Sequence, residues 1–198
     1  MTEVIGGDEI ASQVWLQLQR ACVDRHHEWR SPVLASIGLD GSAQARTVVL
    51  RRADVSAGRL LFYTDRRSPK VPELRAQPGA TLVFWSRRLS WQIRARVTIH
   101  ILDAGPLVDS AWASVAQSPS AGDYLSSASP GAALAGAPEL APAIPPGCEG
   151  PQPLDLRGGP HHLAVVCADV VSIDWLELSR SGHRRALLTT GGPQWLVP

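Results

Sequence analysis

The stretch LSWQIRARVTIHIL, residues 89–102, alternates apolar and polar side chains almost to its end. Apolar residues occupy the odd positions from 89 to 99, and polar residues occupy the even positions from 90 to 100. A period of two is that of a β-strand, whose successive side chains point to opposite faces of the sheet. The stretch therefore predicts a long strand with one face in a core and the other toward solvent, a ligand or a second chain.

Further strands are predicted on both sides of this one. Residues 33–52 read as a hairpin with its turn at Asp40-Gly41, and the run TVVL within it predicts a strand buried on both faces. GRLLFYT and ATLVFWS have the β-branched and aromatic composition of strands. Residues 161–198 predict a long strand, a turn around Ser181-Gly182, a second strand and a short tail.

Helices are predicted over residues 8–27, 69–77 and 106–117. In the first, Ile10, Val14, Leu18 and Cys22 form one apolar stripe, and Asp8 is the expected N-cap. Because antiparallel strands dominate, we predict a mostly β (α+β) barrel. We expect one domain over residues 1–198, with a Pro/Ala/Gly-rich excursion at about 127–154.

Charge and cysteine usage exclude several classes of protein. The net charge of +1 argues against a general nucleic-acid or membrane binder. The amino terminus is acidic without a signal-like apolar core, and no stretch is long and apolar enough to span a bilayer. Three scattered cysteines, at positions 22, 148 and 167, indicate reduced thiols. We therefore expect a cytoplasmic protein, with no metal site, since its adjacent histidine pairs are poor chelators.

The segment YTDRRSPK, residues 63–70, contains the only lysine of a chain with 18 arginines. A strand, a turn and a helix start follow one another here, which brings backbone N–H groups and the positive end of a helix dipole together. Ser68 adds a hydroxyl and Lys70 a compact cation suited to a phosphate. The alternative is that Arg66, Arg67 and Lys70 form a solvated turn.

Three other places carry candidate ligand-binding residues. Arg46 stands where a predicted core strand emerges, Gln92 has an amide suited to the edge of a heterocycle, and Trp175 and Arg185 lie on neighbouring strands that could meet over a flat ligand. Each also has a structural interpretation: the arginines point outward, Gln92 faces solvent and Trp175 packs in the core.

The order of these segments resembles the pyridoxamine 5′-phosphate oxidase-like family of FMN-binding split barrels. RTVVLR is followed by FYT, RSPK, QPGA, LVFW and WQIRARV, and the carboxy-terminal SIDWLEL, HRRALL and WLVP are also similar to that family. The resemblance implies a six-stranded antiparallel split barrel, FMN as cofactor and a homodimer with FMN at the subunit interface. It implies a small-molecule substrate and no nucleic acid or membrane partner.

The resemblance also implies which residues hold the cofactor. Arg46 and Lys70 would lie at the FMN phosphate, Gln92 beside the isoalloxazine ring, and Trp175 and Arg185 would approach the flavin from the other subunit. One family arginine is replaced by Pro69. The complete set of implied cofactor residues is Arg46, Thr47, Val48, Val49, Leu50, Arg51, Tyr63, Thr64, Ser68, Lys70, Gln92, Ser129, Trp175 and Arg185.

The positions that hold the substrate phosphate and ring in the true oxidase differ here. They fall on Arg51, Ala111, Val115, Pro119 and Ser181, and only His183 is retained as a substrate residue. Without those hydroxyls and cations, the site lacks the hydrogen bonds and charges that would offset the cost of removing water from a phosphate monoester. We therefore expect an FMN-dependent oxidoreductase that acts on another substrate, with no catalytic base identified.

Two other functions stay open from the sequence. A flavin carrier or sensor without turnover would also explain the missing substrate residues. An RNA-binding β-barrel would use basic and aromatic side chains as a stacking platform. Its candidate residues are Trp85, Arg87, Arg88, Trp91, Arg94 and Arg96.

Overall fold

The structure is a computed structural model and describes residues 6–134, 136 and 160–198. Its α-helices are α1 (Gly7–Val23), α2 (Lys70–Ala76) and α3 (Pro106–Val115), and short 3-10 helices span Glu28–Arg30 and Pro119–Tyr124. The predicted helices are thus present. Most of the excursion predicted at 127–154 lies outside the described residues, which include only 127–134 and 136 of it.

The described residues form nine β-strands in one antiparallel sheet. They are β1 (Val33–Ile37), β2 (Ala43–Thr47), β3 (Leu50–Asp54), β4 (Arg59–Asp65), β5 (Gly79–Ser86), β6 (Trp91–Leu102), β7 (Leu163–Glu177), β8 (Arg184–Thr189) and β9 (Gly192–Leu196).

The strand order along the sheet is β2-β1-β5-β6-β7-β4-β3, and β8 and β9 extend it from β7. The long strand β7 organises this arrangement: residues 163–169 pair with β4, and residues 173–177 pair with β8. The two ends of the order, β2 and β3, do not pair with each other, so the sheet does not close. The predicted class, a mostly antiparallel β fold with flanking helices, is confirmed.

The described residues form nine strands where the family resemblance implied six, and two of the additions have clear causes. The run TVVL was predicted as one strand, but β2 ends at Thr47 and β3 begins at Leu50. Between them the chain crosses from one edge of the sheet to the other, and Val48 N–H donates to the Pro32 carbonyl instead of a ladder partner (3.0 Å). The predicted carboxy-terminal tail is the strand β9, which pairs with β8.

Helix α1 is shorter than predicted. It ends at Val23 rather than at residue 27, because Asp24 adopts an extended conformation and its carboxylate accepts from the His26 N–H (2.8 Å). Its N-cap is Gly6, so the prediction of Asp8 at that position was wrong. Asp8 lies in the first turn, where its charge still interacts favourably with the helix dipole.

Two apolar clusters hold the sheet and the helices together. The larger contains the apolar face of β6 and the stripe of α1, which confirms the predicted alternation; its members include Ile10, Val14, Leu18, Trp91, Ile93, Ala95, Val97 and Ile99. The smaller joins α3 to the opposite face of β7 and includes Val108, Ala111, Trp112, Val115, Leu163, Val165 and Cys167. None of the helices in the described part of the chain is long and apolar enough to cross a membrane.

Candidate functional site

The lysine of the segment YTDRRSPK is held by two hydroxyl groups. Lys70 is the first residue of α2, and its ammonium donates to Ser68 Oγ (2.6 Å) and to Thr64 Oγ1 (3.0 Å). Thr64 is the last residue but one of strand β4, and both hydroxyl residues are about 5% exposed or less. The end of the strand, the turn and the helix start therefore bring Thr64, Ser68 and Lys70 together, and the anion site expected there stays a prediction.

A second cation lies beside this ammonium. Arg46 on β2 donates to Ser36 Oγ on β1, and its Nη2 pairs with Glu73 Oε2 on α2 at 2.9 Å. Glu73 stands one helical turn after Lys70. The side chains of Arg46 and Glu73 are only 21% and 13% exposed, so this ion pair is well shielded from water.

These residues form a positively charged recess, here named the cradle and consisting of Arg46, Thr64, Ser68 and Lys70. Burial lowers the pKa of Lys70, and the nearby charge of Arg46 lowers it further. The charges of Asp65 and Glu73 both act on Lys70, but Asp65 is paired with Arg67 and Glu73 with Arg46, so among these described residues three cations face two carboxylates and one positive charge has no matching anion. Such an arrangement favours an anionic ligand and differs from the solvated turn that was the alternative.

The other side chains of the run Arg46–Arg51 lie in different environments. Thr47 is exposed and Val49 is half-buried, whereas Val48 and Leu50 are part of the larger core cluster. The guanidinium of Arg51 lies over the ring of Tyr63, with 5.4 Å between Cζ and the ring centroid. Its Nε is buried and has no hydrogen-bond partner in the described residues.

A second group of polar side chains lies on the outward side of β6, β7 and β8, here named the outer face and consisting of Gln92, Arg94, Arg96, Ser172, Asp174 and Arg185. Asp174 is its centre: it accepts from Arg185 Nε (3.0 Å), Arg185 Nη2 (2.8 Å) and Arg94 Nη2 (2.6 Å). The hydrogen bonds from Arg185 and Arg94 lower the pKa of Asp174 against the effect of burial. Arg185 is thus held in a fixed orientation.

Trp175 lies on the other side of the same sheet. Its side chain is fully buried and packs edge-to-face against Trp91 (5.4 Å between ring centroids) and Trp195 (6.4 Å). Trp175 pairs with Ala186, whereas Arg185 pairs with Leu176, so the two side chains point to opposite faces. The expectation that Trp175 and Arg185 meet over one flat ligand is therefore not met within one chain.

The two remaining candidates lie in turns. Ser129 is half-buried in the segment after Tyr124, and its carbonyl accepts from Ala132 N–H (3.1 Å). His183 is exposed in the β7–β8 turn, where its Nδ1 accepts from Ser179 N–H (3.2 Å). No described group of three or more His, Cys, Asp or Glu residues is arranged to hold a metal ion.

Sequence reasoning missed several partners of the site. Glu73 is on the same helix face as Lys70, three residues later, and could have been found from that spacing. Ser36 is the diagonal neighbour of Arg46 across the β1–β2 pair, which becomes visible once the hairpin register is known. The sequence around Asp174 does not indicate its role, because only the pairing of β6 with β7 brings Asp174 opposite Arg94.

Comparisons with known proteins show what the chain is similar to. The family profile described as "Pyridoxamine 5'-phosphate oxidase, FMN-binding domain" matches residues 12–103, which contain the whole cradle. The pyridoxine/pyridoxamine 5'-phosphate oxidase of Thermosynechococcus vestitus is 41% identical over 71 residues, covering 36% of this chain and 33% of that protein. The enzyme of the same name from Myxococcus xanthus (strain DK1622) is 39% identical over 99 residues, covering 44% and 47%. The chain thus aligns with a third to just under half of the length of these relatives.

Solved structures show the same fold over nearly the whole chain. A pyridoxamine 5'-phosphate oxidase-related, FMN-binding protein from Nostoc punctiforme superposes with a TM-score of 0.66 at 21% identity, covering 98% of this chain and 100% of that one. PhzG from Burkholderia lata, solved in complex with tetrahydrophenazine-1-carboxylic acid, gives 0.62 at 18% identity, covering 99% and 95%.

The residues of the cradle fit the phosphate end of FMN. A phosphate monoester brings nearly two negative charges and three acceptor oxygens, which match two cations and two hydroxyl groups. The surplus positive charge of Arg46 and Lys70 over Glu73 is what such a group would neutralise. The profile and the relatives show that residues 12–103 belong to the pyridoxamine 5′-phosphate oxidase-like family, the solved structures show the split-barrel fold, and the FMN-binding-domain profile supports FMN as the cofactor.

Proposed function

We propose that the protein is an FMN-dependent oxidoreductase in which the cradle holds the phosphate of FMN, and that its substrate is a small molecule other than a pyridoxamine or pyridoxine phosphate. The observation that carries the proposal is the pair of half-buried cations, Arg46 and Lys70: among the described residues Glu73 pairs with Arg46, whereas the nearby Asp65 is already paired with Arg67. The free thiols of Cys22 and Cys167 support a reducing, cytoplasmic location. We also propose that residues 1–198 form one domain.

The ring end of the cofactor belongs, in this proposal, to a homodimer. Gln92 and Arg185 are on the outer face, and no described contact joins them to the cradle of the same chain. Two apolar residues near them are unusually accessible: Trp85, the cross-strand neighbour of Gln92, is 46% exposed, and Val171 is 51% exposed. Exposed apolar side chains on a sheet face favour a second copy of the chain as the covering partner.

When bound, FMN supplies the redox chemistry by accepting or donating a hydride at its ring. The chain's own residues bind and orient the cofactor. Arg46, Ser68 and Lys70 fix the phosphate end. Arg185, held in place by Asp174, presents a positive charge that would stabilise the anionic reduced ring.

The substrate side supports a ligand without a phosphate group. Ala111 and Val115 stand at two positions where the true oxidase binds the substrate, and both are buried in the cluster between α3 and β7. Their side chains offer no hydrogen bond to a phosphate. Among the positions that bind the substrate in the true oxidase, position 51 still carries a charged side chain. Arg51 lies over the ring of Tyr63, which packs against this cluster.

A carrier or sensor without turnover is the second candidate, and the apolar packing at positions 111 and 115 favours it. RNA binding has less support. Trp91 is only 6% exposed and packs against Trp29 and Trp175, and Arg94 is bound to Asp174, so neither is free for a stacking platform.

The first prediction concerns cofactor choice. The purified protein should show the visible absorption of a flavin after addition of FMN, and should bind FMN at least about 100-fold more tightly than riboflavin, since two charge-assisted contacts of about 1.5–3 kcal/mol each are lost with the phosphate. Fluorescence titration with both flavins measures the ratio. Equal affinities for FMN and riboflavin would show that the cradle does not bind the phosphate.

Reduction and reoxidation separate the oxidoreductase from the carrier. Bound FMN is reduced anaerobically with NADPH or dithionite, and its reoxidation by oxygen is then followed at the flavin absorption band. We expect reduction by NADPH or by an added substrate within catalytic times. A flavin that dithionite alone reduces, and that no organic donor reduces, would support the carrier.

The third prediction is a loss of FMN affinity at alkaline pH. The pKa of Lys70 in the free protein lies below the ordinary lysine value, and a bound phosphate would raise it. Affinity should therefore be constant below the free-protein pKa and fall as pH rises through it toward the higher value of the complex. Titration of FMN from pH 7 upward measures this, with riboflavin as a control for ionisation of the ring. Lys70→Met should abolish the alkaline loss, and an unchanged loss in that variant would assign it to another group.

A further inference from the structure

The turn before α2 contains an arginine that the cradle does not use. Arg67 donates through Nε (3.1 Å) and its backbone N–H (2.8 Å) to Asp65 Oδ1, and through Nη2 (2.7 Å) to Asp65 Oδ2. The Asp65 carboxylate is nearly fully buried: burial alone would raise its pKa, but the contacts from Arg67 hold the pKa below the ordinary value. Arg67 is thus locked to Asp65 by three hydrogen bonds.

The same guanidinium also holds a second segment of the chain. Its Nη2 donates to the Ser126 carbonyl (2.9 Å) and its Nη1 to the Ser127 carbonyl (3.3 Å). Four residues later the chain passes close to the turn again, because a Cβ added to Gly131 would lie 3.4 Å from Pro69 Cγ. Residues 126–131, here named the 126–131 loop, are therefore bonded to the turn at one end and lie close to it at the other.

This attachment puts the loop next to the cradle. Pro69, which lies close to Gly131, immediately precedes Lys70. Ser129 lies midway between Ser127 and Gly131 in the sequence and is half-buried. Its hydroxyl has no hydrogen-bond partner in the described residues and can donate to a ligand.

We propose that Arg67 is a positioning residue for the cofactor: by binding two carbonyls of the 126–131 loop, it places the Ser129 hydroxyl at the phosphate end of FMN. The inference rests on the proposed function, in which the cradle holds that phosphate. A guanidinium is suited to the task because its five planar donors on three nitrogen atoms span a carboxylate and two carbonyls, whereas a lysine presents its three donors from a single atom. In this proposal Arg67 itself does not bind the phosphate, because Asp65 and the loop take four of the five N–H donors of its guanidinium.

The test compares Arg67→Gln with Arg66→Gln. Both variants remove one positive charge from the same turn, but Arg66 is exposed and only its backbone N–H is bonded, to the His162 carbonyl (2.8 Å). We expect Arg67→Gln to weaken FMN binding about tenfold, the value of one hydrogen bond to a charged group, and riboflavin binding less than about twofold. Arg66→Gln should leave both affinities within about twofold.

A double-variant cycle tests whether Arg67 acts through Ser129. Ser129→Ala alone should also weaken FMN about tenfold, and the double variant Arg67→Gln/Ser129→Ala should be no weaker than either single variant. Additive effects would exclude action through Ser129. Equal weakening of FMN and riboflavin by Arg67→Gln would make Arg67 a general structural residue and overturn the inference.

Two controls keep the outcomes separate. If Arg67→Gln does not fold because Asp65 is left unpaired, Arg67→Lys preserves that charge pair while losing the bonds to both carbonyls, and the same FMN-to-riboflavin comparison applies. If Lys70→Ala leaves the preference for FMN over riboflavin intact, the cradle proposal fails. If Lys70→Ala reduces that preference and the Arg67 variants do not, the inference about Arg67 alone fails.

Discussion

Replacing Lys70 with alanine should weaken FMN binding by about 1.5–3 kcal/mol, or about 10- to 150-fold in dissociation constant, which is the range for a charge-assisted hydrogen bond. The ammonium already has two hydroxyl partners that orient it, so little entropy is lost when a phosphate binds. Its partial burial strengthens the attraction, since water screens the charge less. Titration of the cofactor-free protein with FMN, followed by quenching of flavin fluorescence, measures the change.

Arg75→Ala is the matched control for this experiment. It removes one positive charge from the other end of α2, where Arg75 pairs with Asp103 and is half-exposed. We expect less than a twofold change, because exposed pairs contribute little and their charge is screened. If Lys70→Ala and Arg75→Ala have equal effects, the contribution of Lys70 is one of net charge and the cradle does not contact the phosphate. Lys70→Met keeps the aliphatic chain and separates loss of charge from loss of packing.

The parts of the fold that follow local rules were predictable from sequence. The alternation of apolar and polar residues in β6 correctly predicted which of its faces is buried, and Asp40-Gly41 correctly predicted the turn of the first hairpin. Gly41 has a φ of +80°, the left-handed conformation that glycine favours, so the position of this turn is encoded locally. Periodicity and turn chemistry act over a few residues, which is why they survive without knowledge of the tertiary structure.

The parts that depend on non-local pairing were not predictable. The run Arg46–Arg52 has the composition of one buried strand, yet it is divided because its halves belong to opposite edges of the sheet. Only the complete strand order reveals that crossing. The tail from Gly192 to Leu196 is a strand because β8 offers it an edge, and its sequence, with a glycine and a proline, gives no such signal.

The candidate site divides in the same way. Lys70 and Ser68 were predicted because one short segment places them two residues apart at a helix start, Arg46 was a candidate from its place at the edge of a predicted core strand, and the family resemblance added Thr64. The hydrogen bonds from Arg67 to the 126–131 loop join positions about 60 residues apart, so no sequence pattern predicts them. Trp175, which the resemblance implies at the flavin, is fully buried within one chain among Trp91, Trp195 and core side chains, and its contact with the flavin stays a prediction.

Trp175→Ala should be the most destabilising of the substitutions proposed here, costing about 3–5 kcal/mol of unfolding free energy, as is typical of a buried tryptophan. Its indole is fully buried and contacts two other indoles, and Arg184 lies over it at 5.6 Å. Such a loss is a large fraction of the usual stability of a domain, 5–15 kcal/mol in general. Urea denaturation of the cofactor-free protein, followed by circular dichroism, measures it without the added stabilisation of a bound ligand.

Two companion variants make this prediction decisive. Trp195→Ala removes a partner of the same cluster that is 48% exposed, and should cost no more than about 1–2 kcal/mol, because less apolar surface is lost from the core. Trp175→Phe should cost less than Trp175→Ala, since it keeps an aromatic ring and removes an indole N–H that has no partner in the described residues. If Trp175 acts only in the core, Trp175→Phe leaves the affinity for both FMN and riboflavin unchanged. Equal weakening of both flavins, with stability preserved, would instead place Trp175 at the isoalloxazine ring, as the family resemblance implies.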